Sequence, residues 1–407
     1  MIEILFLLLP IAAASGWWLA RRDPAPSGAA RRTASPSFLR GLNYLLDEQP
    51  DKALDLFIAL AEVDDETVET HLALGSLFRR RGEVDRAIRI HQNLMARPSL
   101  DAEQRGYALL ELGQDYMSAG LLDRAELLFQ ELAGLGLHRQ RALAGLREIY
   151  QQERDWERCL EVAKQLRPGG EAVLDAEIAH YHCELAEEAR RQGDCARART
   201  QLARAREIDP ACVRACILEG RAALEDGEPE QALALFRGLV VRHGAYLPEI
   251  LPALIEALER VPGEDPLLVL EALVARHPSP ALVVALAERI AATRGRGEAL
   301  DLLCAHLAHF ADLLGLERLL ALELSALPDT ATALRLERAL AVIRHLAARQ
   351  PAYQCDHCGF QARALHWQCP SCKRWGSVVP VQPEPLVIDA GLEGPRLAQT
   401  PTHNPNP

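Results

Sequence analysis

A motif recurs along this chain about every 34 residues, and a recurrence of that length restricts the fold more than any other feature. Its frame is Gly or Ala, six residues, Gly, four residues, Ala, three residues and a large apolar residue. It is met at Gly75, Gly82 and Ala87; at Gly113, Gly120, Ala125 and Phe129; at Ala186, Gly193, Ala198 and Leu202; and at Gly220, Gly227, Ala232 and Phe236. A looser copy has Gly41, Glu48, Ala53 and Phe57. The frame positions 53, 87, 125, 159, 198 and 232 stand 34, 38, 34, 39 and 34 residues apart, and weaker copies continue at Ala299 and Ala333. Turns such as Arg97-Pro98-Ser99 can absorb the longer gaps. Leu and Ala dominate while aromatic residues make up only 5%, which favours helix over strand. One such unit cannot bury its own apolar faces, so the copies must stack.

The frame resembles the tetratricopeptide repeat, whose unit is two antiparallel helices. A small residue lets the paired helices approach, and a Gly before the second helix makes the turn. Pro98 and Pro210 match the helix-ending proline of that family. The resemblance predicts an all-α solenoid over residues 38–350, clear to about residue 245. Beyond it, Leu- and Ala-rich helix pairs are broken by Pro248, Pro252, Pro262, Pro266, Pro278, Pro280 and Pro328. A solenoid of this kind implies a concave groove for a segment of another protein.

Near the C-terminus the sequence changes character. Tyr353-Gln-Cys355-Asp-His-Cys358-Gly359-Phe360 is followed by Trp367-Gln-Cys369-Pro370-Ser-Cys372-Lys373. Each C-x-x-C pair can wrap a tight turn around one metal ion, with backbone N–H groups aimed at the sulfurs. Cys355, Cys358, Cys369 and Cys372 are therefore the expected ligands of one iron or zinc ion, in a module over residues 351–380. Tetrahedral ligation by four sulfurs suits both metals, and spacing does not choose between them. A closed four-sulfur site has no open position for substrate, which argues against a catalytic metal. Phe360, Trp367 and Trp375 are expected to cover the metal, and His357 and His366 to face solvent. The other six of the ten cysteines are scattered through helical sequence, a pattern that fits a reducing compartment.

The first residues form a third region. Ile4–Ala20 carries no charge, and seventeen helical residues reach about 25 Å, close to the hydrocarbon thickness of a bilayer. Trp17 and Trp18 end the run and Arg21 and Arg22 follow it, so residues 1–22 read as a single-pass anchor with the rest of the chain in the cytoplasm. A cleaved signal peptide would carry its basic residues before the run and small residues at its exit. Residues 23–37 read as a linker. The Pro-rich tail, 381–407, reads as disordered except where Leu386 to Ile388 can pack locally.

The formal net charge of −12 disfavours nucleic acid as a partner. No nucleophile or metal-protease motif is present, and the chain reads as a non-enzyme. His180, His182 and Cys183 do not share a helix face as a ligand set would, and Cys212 and Cys216 read as small core residues. Arg294-Gly-Arg-Gly297 lacks the strand and spacing of a phosphate loop. The runs Arg79-Arg80-Arg81, Glu187-Glu188 and Arg190-Arg191 read as solvated helix faces.

Anchor, repeat array and the sequences YQCDHCGFQA and HWQCPSCKRWG, in this order, resemble the lipopolysaccharide assembly protein B family of Gram-negative bacteria. The resemblance covers essentially the whole chain except the tail. It implies an inner-membrane, cytoplasm-facing adaptor that regulates lipopolysaccharide synthesis. The implied partners are the membrane AAA+ protease FtsH, the lipid A deacetylase presented to it, and a periplasm-facing inner-membrane regulator. A homodimer is compatible with this reading. The resemblance also implies a rubredoxin-like metal module, ligated by Cys355, Cys358, Cys369 and Cys372, packed back on the repeats. Two other readings compete: a scaffold for envelope enzymes that involves no proteolysis, and an electron carrier using an iron centre held by the four cysteines.

Overall fold

The computed structural model describes residues 40, 41, 43, 44, 52, 53, 56, 68–166, 172–310, 312–328 and 331–381. The expected anchor (1–22), the linker (23–37) and the tail after Val381 lie outside these residues. Among the described residues no helix is long and apolar enough to cross a membrane. The chain divides into two compact units, residues 1–153 and 154–407.

In the first unit five described helices follow one another: α1 (Val68–Arg80), α2 (Val84–Met95), α3 (Ala102–Ser118), α4 (Leu122–Gly134) and α5 (Arg139–Glu153). α1 with α2 and α3 with α4 form antiparallel pairs, α4 packs on α5, and α1, α3 and α5 also pack on one another. The repeat frame explains the pairing. Ala53, Ala87 and Ala125 are fully buried. Gly113 sits on the Phe129 ring so closely that a β-carbon there would collide with it. Gly82, at φ +80°, ends α1: its N–H bonds to the Arg79 carbonyl and that of Glu83 to the Phe78 carbonyl.

The second unit holds α6 (Trp156–Leu166), α7 (Ala172–Arg191), α8 (Cys195–Ile208), α9 (Val213–Glu225), α10 (Pro229–His243), a 3₁₀ turn (Gly244–Tyr246) and α11 (Leu247–Arg260). It continues with α12 (Pro266–Arg276), α13 (Pro280–Thr293), α14 (Arg296–Leu307), α15 (Leu313–Leu324) and α16 (Ala331–Ala347). The first helices of successive pairs, α7, α9, α11, α13 and α15, pack directly on one another and form one layer. The degenerate repeats continue this plan. Ala299 and Ala333 are buried as their stronger counterparts Ala198 and Ala232 are. Most of the prolines there do not break helices: Pro266 and Pro280 open α12 and α13 at the first turn, where the missing N–H costs nothing, and only Pro252 lies inside a helix.

The all-α expectation holds for the repeats, and the separate C-terminal module is built on strands. Three short antiparallel strands, β1 (Tyr353–Cys355), β2 (Gln361–Ala362) and β3 (Val378–Pro380), form a sheet in the order β2-β1-β3. A chain this short cannot bury enough apolar surface as a helix, and two cysteine turns favour hairpins instead.

Candidate metal centre

Each C-x-x-C pair forms the same turn. The N–H of Gly359 bonds to the Cys355 carbonyl, and that of Lys373 to the Cys369 carbonyl. The N–H groups of Cys355 and Cys369 bond back to Phe360 and Arg374. Gly359 and Lys373 both take left-handed backbone, φ +74° and +60°. The four sulfurs lie within 4.8 Å of one another, with Cys355–Cys372 and Cys358–Cys369 at 3.7 Å. A tetrahedron with metal–sulfur bonds of about 2.3 Å has edges of about 3.8 Å, so the four sulfurs fit one ion ligated by all of them. The same spacing is far beyond a disulfide bond.

The four thiols are not equivalent. The Ser377 hydroxyl, 3.4 Å from Cys355 Sγ, and the N–H groups of Cys358 and His357 bring the Cys355 thiol down to about 6. Burial pushes the Cys369 thiol up to about 11, against the N–H groups of Cys372 and Ser371. Cys358 is exposed, whereas Cys355 and Cys369 are buried. His357 and His366 are exposed, as their sequence position suggested. Phe360 packs beside the cysteines, as expected.

Trp367 and Trp375 depart from expectation. They turn away from the cysteines and onto the repeats, because the module has no room to bury three aromatic rings while the solenoid offers an aromatic surface. Trp375 stacks on His180 at 5.1 Å and meets Trp156 and Tyr181 edge-on, both at 5.8 Å. Trp367 stacks on Tyr246 at 6.1 Å and lies beneath the Arg214 guanidinium. Arg214 is only 3% exposed and bridges Glu184 at 2.8 Å and Glu187 at 3.1 Å. Burial opposes its charge, but these two carboxylates outweigh burial and hold its pKa above the ordinary value. Glu187 thus balances a buried charge between two repeat helices rather than belonging to a solvated run. Tyr353 donates a hydrogen bond to the Glu249 carboxylate of α11. His180 is buried under both tryptophans; desolvation, and next the Arg214 charge, bring its pKa down to about 3.

Sequence spacing located the four cysteines but not this docking surface, because His180, Arg214, Tyr246 and Glu249 come from separate elements that no motif connects. It also missed a buried network in the first unit. Arg79, taken for part of a solvated run, donates to Asp115 at 2.6 Å and Glu111 at 2.7 Å, and Asp115 reaches His91 Nδ1 at 2.5 Å. His91 and Asp115 are fully buried. One signal was present: His91 stands four residues after Ala87, where the other copies have Phe129, Leu202 and Phe236.

Beside the docked module, α9 and α11 border a cleft of about 440 Å³, lined by Arg221, Glu225, Glu249, Pro252, Glu256 and Arg260 among others. The lining alternates in charge: Arg260 bridges Glu256 at 2.5 Å, and Arg221 donates to the Glu249 carbonyl.

Stacked helix pairs joined to a four-cysteine ribbon define a helical-repeat protein with a rubredoxin-like module. Comparison with known proteins agrees: a rubredoxin metal binding domain matches residues 353–380, and tetratricopeptide repeats match residues 70–105 and 183–246. Lipopolysaccharide assembly protein B of Escherichia coli K12 is 36% identical over 389 residues, covering 94% of this chain and 99% of that one. Its Haemophilus influenzae counterpart is 32% identical over 398 residues, covering 94% and 98%. The chain belongs to the lipopolysaccharide assembly protein B family. A solved repeat structure from Cytophaga hutchinsonii is similar over 74% of this chain and 98% of its own at 12% identity, with a TM-score of 0.41.

Proposed function

We propose that this chain is a non-enzymatic adaptor of the inner membrane that regulates lipopolysaccharide synthesis from the cytoplasmic side. It holds the lipid A deacetylase and presents it to the membrane protease FtsH, while residues 1–22 anchor it beside that protease and meet a periplasm-facing regulator. Cys355, Cys358, Cys369 and Cys372 hold one iron or zinc ion whose role is to fold the module. The observation that carries this reading is the placement of the module. It is clamped on the layer of first helices through Trp367 and Trp375 and leaves the α9–α11 cleft open beside it. A metal used in this way supports a binding surface, and neither the cleft nor the closed sulfur cluster offers a nucleophile to a substrate.

The test is the half-life of the lipid A deacetylase in cells depleted of this protein. The cells are complemented with the wild type, a chain lacking residues 1–22, or Cys355→Ser/Cys358→Ser. The expected result is a long half-life on depletion that only the wild type shortens. An unchanged half-life on depletion overturns the proteolytic reading and leaves a scaffold. Rescue by the anchor-less chain overturns the role of residues 1–22 alone.

A further inference from the structure

The solenoid ends abruptly at α16. In each earlier pair of the second unit the second helix packs on the first helix of the next pair, α10 on α11, α12 on α13 and α14 on α15. Among the described residues no repeat follows α16: the chain turns into β1, and the metal module docks elsewhere, on α7, α9 and the 3₁₀ turn. A solenoid end normally carries a polar cap to stay soluble. Here Ala333 and Leu340 face inward, while Leu334, Val342 and Leu346 are 51%, 59% and 48% exposed. At 100° per residue these three fall on the side away from α15, interleaved with Arg335, Arg338 and His345, and with Arg349 just past the helix end. Glu337 is the one acid on the helix. The face is therefore apolar and cationic together.

A second copy of this helix would set arginine against arginine. This chain itself contains the complementary sequence. Glu384-Pro-Leu386-Val387-Ile388-Asp389-Ala-Gly-Leu392-Glu393 carries three acids, no base and four large apolar residues. It also starts in the right place. The N–H of Val381 bonds to the Ala352 carbonyl at 2.9 Å, so the chain leaves the module beside a residue that lies five positions past the end of α16. From Leu346 back to Leu334 the helix rises about 18 Å. The ten residues from 384 to 393 span about 30 Å when extended, enough to run the length of the face.

We propose that residues 384–393 of the tail lie along the outward face of α16 and cap the solenoid, with Leu386, Val387, Ile388 and Leu392 against Leu334, Val342 and Leu346, and the three acids against the arginines. This assignment is independent of the adaptor reading. The test compares hydrogen exchange of α16 in the full chain, held in nanodiscs of neutral lipid, with that in a chain ending at Val381. Loss of the tail is expected to speed exchange in α16 about tenfold, since local opening sets the rate there, with the rest of the second unit unchanged. A synthetic peptide of residues 382–395 should restore protection to the shortened chain. The same peptide with Glu384, Asp389 and Glu393 changed to Lys should not, whereas on Arg335→Glu/Arg338→Glu the order reverses: the Lys peptide protects and the native peptide does not. Equal exchange in α16 with and without the tail overturns the proposal. So does protection of the shortened chain that rises with protein concentration, which marks a second copy, or with anionic vesicles, which marks a lipid surface.

Discussion

Lys373 holds the second cysteine turn in the left-handed region where the first turn has Gly359. A side chain in that conformation costs about 1 kcal/mol or more, whereas glycine adopts it freely. Lys373→Gly is therefore expected to stabilise the module by about 1 kcal/mol, measured as slower metal loss to a chelator and a higher unfolding midpoint. Asp115 is a residue of the opposite kind. Its carboxylate faces Arg79 on one oxygen and His91 on the other. Asp115→Ala strands both partners in a buried site and is expected to cost about 3 kcal/mol or more, read as a lower urea midpoint. Only one of the two stood out in the sequence. Position 373 was visible as the counterpart of Gly359, but the backbone angle was not. Asp115 sits on the buried face of α3, where its charge makes sense only once Arg79 and His91 are placed around it.

At the scale of elements, the module and the solenoid are joined by aromatic stacking over a buried histidine. His180 has a pKa of about 3 in the folded protein against an ordinary 6.5. The folded state thus binds fewer protons than the unfolded or undocked state between these values, and stability falls as pH drops from about 6.5 toward 3. At pH 5 the loss approaches about 2 kcal/mol, from 1.36 kcal/mol per unit of pKa displacement. Acidification should therefore release the module. Trp367 and Trp375 fluorescence should shift to the red below pH 6 in the wild type, and His180→Phe should flatten that profile. An unchanged profile in the variant would show that another group controls docking.

At the scale of the whole molecule, the metal centre is expected to govern more than its own thirty residues. Strands of two and three residues cannot persist unsupported. Removing the metal should unfold the module, free Trp367 and Trp375, and leave His180 and Arg214 facing water. A strong chelator, or Cys358→Ser, is expected to raise hydrogen exchange in α7 and α9 while leaving α1 to α4 unchanged. Metal capture should also depend on pH. The cysteines of the unfolded, metal-free module carry their ordinary protons at neutral pH and must release them on binding. Affinity should fall about tenfold per proton displaced for each unit of acidification, as calorimetry in buffers of different ionisation enthalpy can count.

Two things were legible in the sequence because their causes are local or periodic. The 34-residue frame fixes helix pairs through residues that meet within one unit, such as Gly220 against Phe236. The C-x-x-C turns close on themselves, so Cys355, Cys358, Cys369 and Cys372 could be named from spacing. Where the module would sit, and which way Trp367 and Trp375 would point, depended on surfaces from α7, α9 and α11 that are distant in the chain. The same holds for Arg79, Arg214 and Glu187: a charge run and a buried ion pair look alike until the partner is placed. Short-range geometry is written in the order of residues, whereas the burial of a charge is a property of everything packed around it, and only the tertiary structure decides that.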